Sequence, residues 1–488
     1  MRHEMRFAFA FAVLFGIGAL APGSFGGCTG TRKIASEIAS PLPAAVTKPR
    51  HVVFLIHGIG GNKTHFGSMQ QALKNVLPKL EDRYSYDVVN FEYDTANDNK
   101  DTYLFARELG ETIHAYFEAS GAAPQAGEKI SLVMHSQGGL IGMIWMTRAF
   151  SGEAEYHPEY AAFVDGYITL GTPFWGAKIA VFAGMLKKAP SELIAFLPTG
   201  RVQLREMSFG SETIFRFRQR VMQEEFLPIL AKMRQQVRPL HLAGVARDLK
   251  LLSPFVTGKT EYEDDTAVPL PSARFDFIYA KSDKTSYSSG ERLKSESFGE
   301  TRLSKFIVVD ALHLSPFPNR KALPGLAQIP KACVDDPQCK HPTFQYVVNQ
   351  LLGRSMTIDE SLLAKMTSFL IDLNVRLPAG HGLKANDFKV KFITKKADDV
   401  KIGKMVELYS KGRSKAARNP EYVRFYYTGT IANSFLPLEE RPGEAEEVPF
   451  RDKVVEVEIS APGYKTRVIE AKVRATYSTF VDLNLERN

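Results

Sequence analysis

The stretch Val133-Met134-His135-Ser136-Gln137-Gly138-Gly139 decides how this chain folds. A short apolar run, Lys129 to Met134, leads into it, and a helix-forming run, Gly138 to Phe150, follows at once. A serine at such a strand-to-helix turn, with small residues after it, is the setting of a nucleophile elbow. The turn must lift the hydroxyl above the sheet. The small residues must let helix and strand approach, and the helix N-terminus must aim N–H groups at a developing oxyanion. Met134 holds the place of the usual first glycine. The plain alternative is a serine in an ordinary strand–helix loop.

Outward from the elbow the chain alternates strands and helices. His51 to Ile56, Tyr86 to Tyr93, Lys129 to Met134, Val164 to Leu170, Leu240 to Val245, Phe275 to Tyr279 and Lys305 to Val309 read as strands. Thr64 to Leu80, Tyr103 to Ala119 and Gly138 to Phe150 read as helices, and residues 177–236 as a mostly helical insertion. This alternation predicts an α/β fold, a parallel sheet with helices on both faces, whose chemistry gathers at the carboxyl ends of the strands. The first strand ends there in His57-Gly58-Ile59-Gly60-Gly61-Asn62, a loop able to turn N–H groups toward the elbow. It is not G-x-G-x-x-G, and no Lys-Ser or Lys-Thr of a phosphate-binding loop follows.

Three motifs in this order resemble those of α/β-hydrolase lipases and esterases over roughly residues 50–320. They are His57-Gly58-Ile59-Gly60-Gly61, His135-Ser136-Gln137-Gly138-Gly139 and Leu170-Gly171-Thr172-Pro173-Phe174-Trp175-Gly176. The resemblance implies an acyl-enzyme on Ser136, with the N–H groups of Ile59 and Gln137 as the oxyanion hole. Its order is serine, acid, histidine. Asp264-Asp265-Thr266-Ala267-Val268-Pro269 is similar to the family's Asp-Gly-x-Val-Pro stretch, which places the acid at Asp265. Asp264 stays a rival because Thr266 replaces the glycine, and Asp248 lies nearer the preceding strand without matching context. His313 follows the strand Lys305 to Val309 after a short loop, where such a fold presents its base. His57 and His135 belong to the loops already named, His241 lies inside a strand, and His341 has no strand leading to it.

The ester or lipid hydrolase is the reading of choice. Acyltransferase or thioesterase chemistry uses the same triad, and a non-catalytic surface-anchored binding protein on a hydrolase scaffold is the reading from another class. No cofactor is implied, and the sequence shows no metal site. The insertion carries apolar runs at residues 179–186 and 193–198. They suit a lid over Ser136 and equally a cap packed on the core.

The ends of the chain read differently. Residues 1–27 have the form of a secretory signal peptide: Arg2 and Arg6, an apolar run, then small residues before Cys28. The ending resembles a bacterial lipobox, with Phe25 in the usual leucine place, so Cys28 is the expected lipidation site. Residues 28–49 then form a tether. The expectation is a lipoprotein of the bacterial cell envelope, exported and held on the membrane surface. In that oxidising compartment Cys333 and Cys339 remain as an even pair around a turn-rich stretch, and a disulfide between them is expected, two free thiols being the alternative. With Lys plus Arg at 62 and Asp plus Glu at 54, the net charge of +8 is thinly spread and no basic run occurs, so no nucleic acid is expected as partner. The hydrolase domain is expected over residues 50–354. Residues 355–488 show short strands separated by turns, a β-sandwich pattern resembling transthyretin-like modules, read as an accessory domain for docking a protein partner.

Overall fold

The computed structural model describes residues 48–177, 201–245, 263–281, 305–315, 324–393, 399–406, 422–437 and 449–488, apart from residues 96, 122 and 379, together with the short pieces 292–293, 297–300 and 440–441. The signal segment, Cys28, Asp248 and the apolar runs 179–186 and 193–198 lie outside the described residues.

Six strands form a wholly parallel sheet. They are β1 (Arg50–Ile56), β2 (Ser85–Phe91), β3 (Lys129–His135), β4 (Val164–Leu170), β5 (Arg238–Gly244) and β9 (Lys305–Val309), in the order β2-β1-β3-β4-β5-β9. From Val52 to Ile56 β1 is apolar without a break because both faces are covered. Val52, Phe54 and Ile56 face one core with helices α2 (Thr102–Ala119) and α3 (Gln137–Phe150). Val53 and Leu55 face another with α1 (Met69–Leu80) and α7 (Phe344–Leu352). Helix α1 starts five residues later than the expected Thr64, because Asn62 Oδ1 accepts the Thr64 N–H (2.8 Å) and Gly67 takes a positive φ of 58°. Those turns bend the chain before a helix can propagate.

The C-terminal region builds two further sheets. One has six strands: β12 (Val400–Val406), β13 (Tyr422–Ile431), β10 (Ser368–Arg376), β16 (Ser478–Asn484), β6 (Phe277–Lys281) and β8 (Ser297–Glu300), in that order. The other has four: β11 (Lys389–Ile393), β14 (Lys453–Ser460), β15 (Arg467–Val473) and β7 (Arg292–Leu293). Along β10 the side chains alternate. Phe369, Ile371, Leu373 and Val375 pack with Val455, Val457 and Ile459 of the four-stranded sheet. Leu370, with Tyr426 and Phe480, faces the core beside the parallel sheet at Trp175, Phe209 and Phe215.

One strand goes elsewhere than the sequence suggests. Phe275 to Tyr279 reads as part of the core sheet, but β6 pairs in parallel with β16, Phe277 opposite Ser478. Apart from Asp276 the run is apolar, as a strand covered on both faces must be, and both sheets offer that environment. The parallel-sheet region and the C-terminal region are therefore joined through one sheet.

The described part of the insertion, α4 (Arg201–Glu206), α5 (Glu212–Val221) and α6 (Leu227–Gln236), packs rather than projects. Ser211 caps α5 through its Oγ, 3.2 Å from the Ile214 N–H. Phe215 meets Tyr422 and Phe480 of the C-terminal sheet, and the Arg424 guanidinium lies 3.4 Å over its ring. Arg218, 1% exposed, lies over the rings of Trp175 and Phe275 and donates to the carbonyls of Phe174 (3.1 Å) and Phe275 (2.8 Å). It ties the Gly171–Gly176 turn to the approach to β6. Among the described residues no helix is long and apolar enough to cross a membrane.

Candidate active site

Ser136 sits at the junction of β3 and α3 with φ 53° and ψ −123°, outside the ordinary regions for a residue with a side chain. Close packing enforces this turn. A Cβ on Gly138 would lie 2.3 Å from the Ile56 carbonyl oxygen, so only glycine lets α3 approach β1. Met134, where a glycine is usual, is fully buried. The room comes from the facing helix: a Cβ on Gly142 would lie 2.1 Å from the Met134 sulfur. The missing small residue on the strand is thus matched by one on the helix.

His313 stands beyond the end of β9. Its Nε2 lies 2.9 Å from Ser136 Oγ, and its Nδ1 lies 2.8 Å from Asp265 Oδ2. A carboxylate only accepts, so Nδ1 carries the proton and Nε2 is free to accept from the serine hydroxyl. Asp265 is 1% exposed. Its other oxygen accepts the N–H groups of Ala267 (3.0 Å) and Val268 (2.8 Å), which fixes the carboxylate plane. Thr266 adopts φ 88°, so the position where the resemblance has glycine keeps a glycine-like backbone despite the side chain. Asp264 Oδ1 accepts the Thr266 N–H at 2.9 Å. Gly171, at φ 58°, makes the meeting of acid and base sterically feasible: a Cβ there would lie 2.7 Å from Asp265 Oδ2 and 3.0 Å from His313 Nδ1.

The Gly-rich loop lies against the serine. A Cβ on Gly58 would approach Ser136 Cβ to 2.8 Å. Ile59 and Gln137 are both buried, and among the described residues the N–H of neither meets an acceptor. Tyr93 braces this loop by stacking on His57 (4.4 Å, 7°) and donating to the His57 carbonyl at 2.9 Å.

Behind the serine runs a chain of imidazoles that includes one residue the motifs do not mark. His135 Nε2 lies 3.0 Å from the His313 carbonyl oxygen, and His65 Nε2 lies 2.7 Å from His135 Nδ1. Since the carbonyl only accepts, His135 donates from Nε2 and receives from His65. Burial pushes His65 down to about 3 and His135 well below the ordinary histidine range, so both rings are neutral props of the His313 backbone. The only sequence signal for His65 is its place eight residues after His57. His241 bonds Thr169 and His341 bonds Thr343, away from this cluster. Cys333 and Cys339 are joined by a disulfide, with Cα atoms 5.1 Å apart.

Among the described residues one group, His114, His157 and Glu159, brings metal-ligand atoms within 4.8 Å of one another. Its imidazoles stack at 4.5 Å and 19°, so their in-plane lone pairs run side by side instead of converging. Glu118 and Glu159 already take one nitrogen of each ring. The geometry is that of a hydrogen-bonded surface cluster.

Residues 46–191 match the family model described as "Putative serine esterase (DUF676)". No curated protein matches the sequence. Among solved structures, phospholipase PlaB from Legionella pneumophila is similar with a TM-score of 0.60 at 14% identity, over 90% of this chain and 94% of that one. The same phospholipase in complex with thio-NAD gives a TM-score of 0.59 at 13% identity, with the same coverage. The mature lipase BlEst2 from Bacillus licheniformis gives 0.32 at 22% identity, over 49% of this chain and 82% of that one.

Proposed function

From an α/β-hydrolase fold that gathers Ser136, His313 and Asp265 into one hydrogen-bonded chain, we propose that this protein is a serine hydrolase of carboxylic esters acting through an acyl-enzyme. The observation that carries the reading is the pair of contacts made by His313, 2.9 Å to Ser136 Oγ and 2.8 Å to Asp265 Oδ2. His313 takes the Ser136 proton as the hydroxyl oxygen attacks the acyl carbon. Asp265 holds the imidazole in the required tautomer and stabilises its cation. The N–H groups of Ile59 and Gln137 receive the oxyanion. His313 returns the proton to the leaving alcohol, and a water activated by the same ring releases the acid.

The substrate class proposed is the acyl ester of a lipid, with phospholipids first. Two considerations support it. The signal segment and Cys28 suit a lipoprotein of the bacterial cell envelope, which would hold the site against a membrane surface. The phospholipase PlaB shares the fold along nine-tenths of the chain.

A fluorophosphonate probe tests the chemistry. The wild-type chain should be labelled at Ser136, and Ser136→Ala should lose both label and ester hydrolysis while its melting temperature stays unchanged. Fatty acid release from phosphatidylglycerol or phosphatidylethanolamine vesicles, compared with short p-nitrophenyl esters, tests the substrate class. Turnover of the short esters alone would reject the lipid assignment.

A further inference from the structure

The turn that carries Asp265 is tied at both limbs to the C-terminal region. On the first limb, two residues before the acid, the Glu263 carboxylate is surrounded by donors at the start of β10. Its Oε1 accepts from the Thr367 N–H (2.9 Å) and hydroxyl (3.0 Å), and its Oε2 from the Ser368 N–H (3.1 Å) and hydroxyl (2.8 Å). On the second limb, the Pro271 carbonyl accepts the Ser478 hydroxyl at 3.0 Å, and Arg274 donates to Thr476 O at 3.2 Å. The two anchors are themselves joined, since the Thr476 N–H donates to Ser368 O at 2.7 Å. Between the limbs the turn closes on itself, with the Leu270 N–H 2.8 Å from Glu263 O.

We infer that the C-terminal sheet is the seat of the acid turn and that Glu263 is a positioning residue, setting Asp265 against His313. The inference rests on the triad proposed above. No glycine lies between Glu263 and Leu270 to absorb a displacement, so a shift at Glu263 is passed on to Asp265 two residues away. Four donors converge on one carboxylate, a charge-assisted arrangement that an amide cannot reproduce, because its NH₂ group would face other donors. The C-terminal region thereby becomes part of the hydrolytic unit.

The test compares Glu263→Gln with the wild-type full chain, reading fluorophosphonate labelling and the pH–rate profile on p-nitrophenyl butyrate. His313 faces the Asp265 carboxylate, the Ser136 hydroxyl and the neutral His135 ring, so Asp265 is the anion in direct contact with it. Misplacing a catalytic group by about 1 Å costs on the order of 10²-fold. Glu263→Gln should therefore lower kcat about ten- to a hundredfold with KM within about twofold. It should also move the acid limb to lower pH. Thr367→Val with Ser368→Ala keeps the Glu263 charge and the backbone donors and should shift both readouts the same way by a smaller factor. This double variant decides the matter if Glu263→Gln does not fold. A labelled wild type with an acid limb that stays put in the variants overturns the inference alone, even if activity falls with the folded fraction. A wild type that takes no label overturns the triad reading itself.

Discussion

Asp265 holds His313 at two points: its carboxylate oxygen lies 2.8 Å from the ring Nδ1, and its main-chain carbonyl accepts the His313 N–H at 2.7 Å. The acid therefore sets the orientation of the imidazole and the path of the backbone that bears it.

Asp265→Asn keeps the size of the side chain but removes the anion and offers an amide where Nδ1 needs an acceptor. Hydrolysis should fall by about 10²–10⁴ in kcat. Asp264→Asn keeps the acceptor that serves the Thr266 N–H, and activity should stay within about twofold. Steady-state kinetics on one ester distinguishes the two, and damage from Asp264→Asn alone would move the acid by one residue.

Gly171→Ala places a methyl group 2.7 Å from Asp265 Oδ2 at a positive φ. Acid and base must separate, so kcat should drop by about 10² or more, while circular dichroism shows the fold retained. Full activity in this variant would mean that the Asp265–His313 contact is not used.

One buried and two half-buried histidines make the fold acid-sensitive. Burial pushes His51 and His341 down to about 4 and His65 down to about 3, from an ordinary value of 6.5. Each folded-state value is depressed, so the unfolded chain binds protons first as pH falls. The stabilisation is fully present above about pH 6.5 and is lost progressively toward pH 4. For His51, which bonds Ser131 Oγ at 2.8 Å, the loss is at most about 3 kcal/mol. Thermal melts from pH 7 to 4 should show a steep fall, and His51→Gln should flatten it. An unchanged slope would assign the acid sensitivity to other groups.

Cys28→Ser should release the protein from the membrane fraction or leave it unprocessed, if the signal segment acts as a lipobox. Fractionation and mass spectrometry of the N-terminus check this, and undiminished membrane association would point to an uncleaved anchor.

Much of the site could be read from local sequence because its parts lie in short motifs or just past strands. Ser136 and His313 stand just past predicted strands, Asp265 is marked by its likeness to the Asp-Gly-x-Val-Pro stretch, and order together with location selects one histidine among eleven. Strand partnership was not legible in the same way. Phe277 to Ala280 of β6 are apolar whichever sheet takes them, and the partner β16 lies about 200 residues further along, where periodicity carries no information. The pairing of Glu263 with Thr367 and Ser368 is equally silent, since a carboxylate and two hydroxyl residues 104 and 105 positions apart look like ordinary turn residues. Met134 looked too large for its place because the compensating residue, Gly142, lies on the neighbouring helix.

The position of β16 between β10 and β6 has a consequence for biogenesis. The ribosome releases residues 478–484 after every other strand described here, yet that strand completes the sheet on which the acid turn rests. Closing a contact over about 200 residues is slow compared with local folding. A chain that stalls before this strand lacks the support for Asp265, however well its parallel sheet has formed. The hydrolysis proposed above would then begin only after residues 478–484 have joined the sheet, later than the parallel sheet itself.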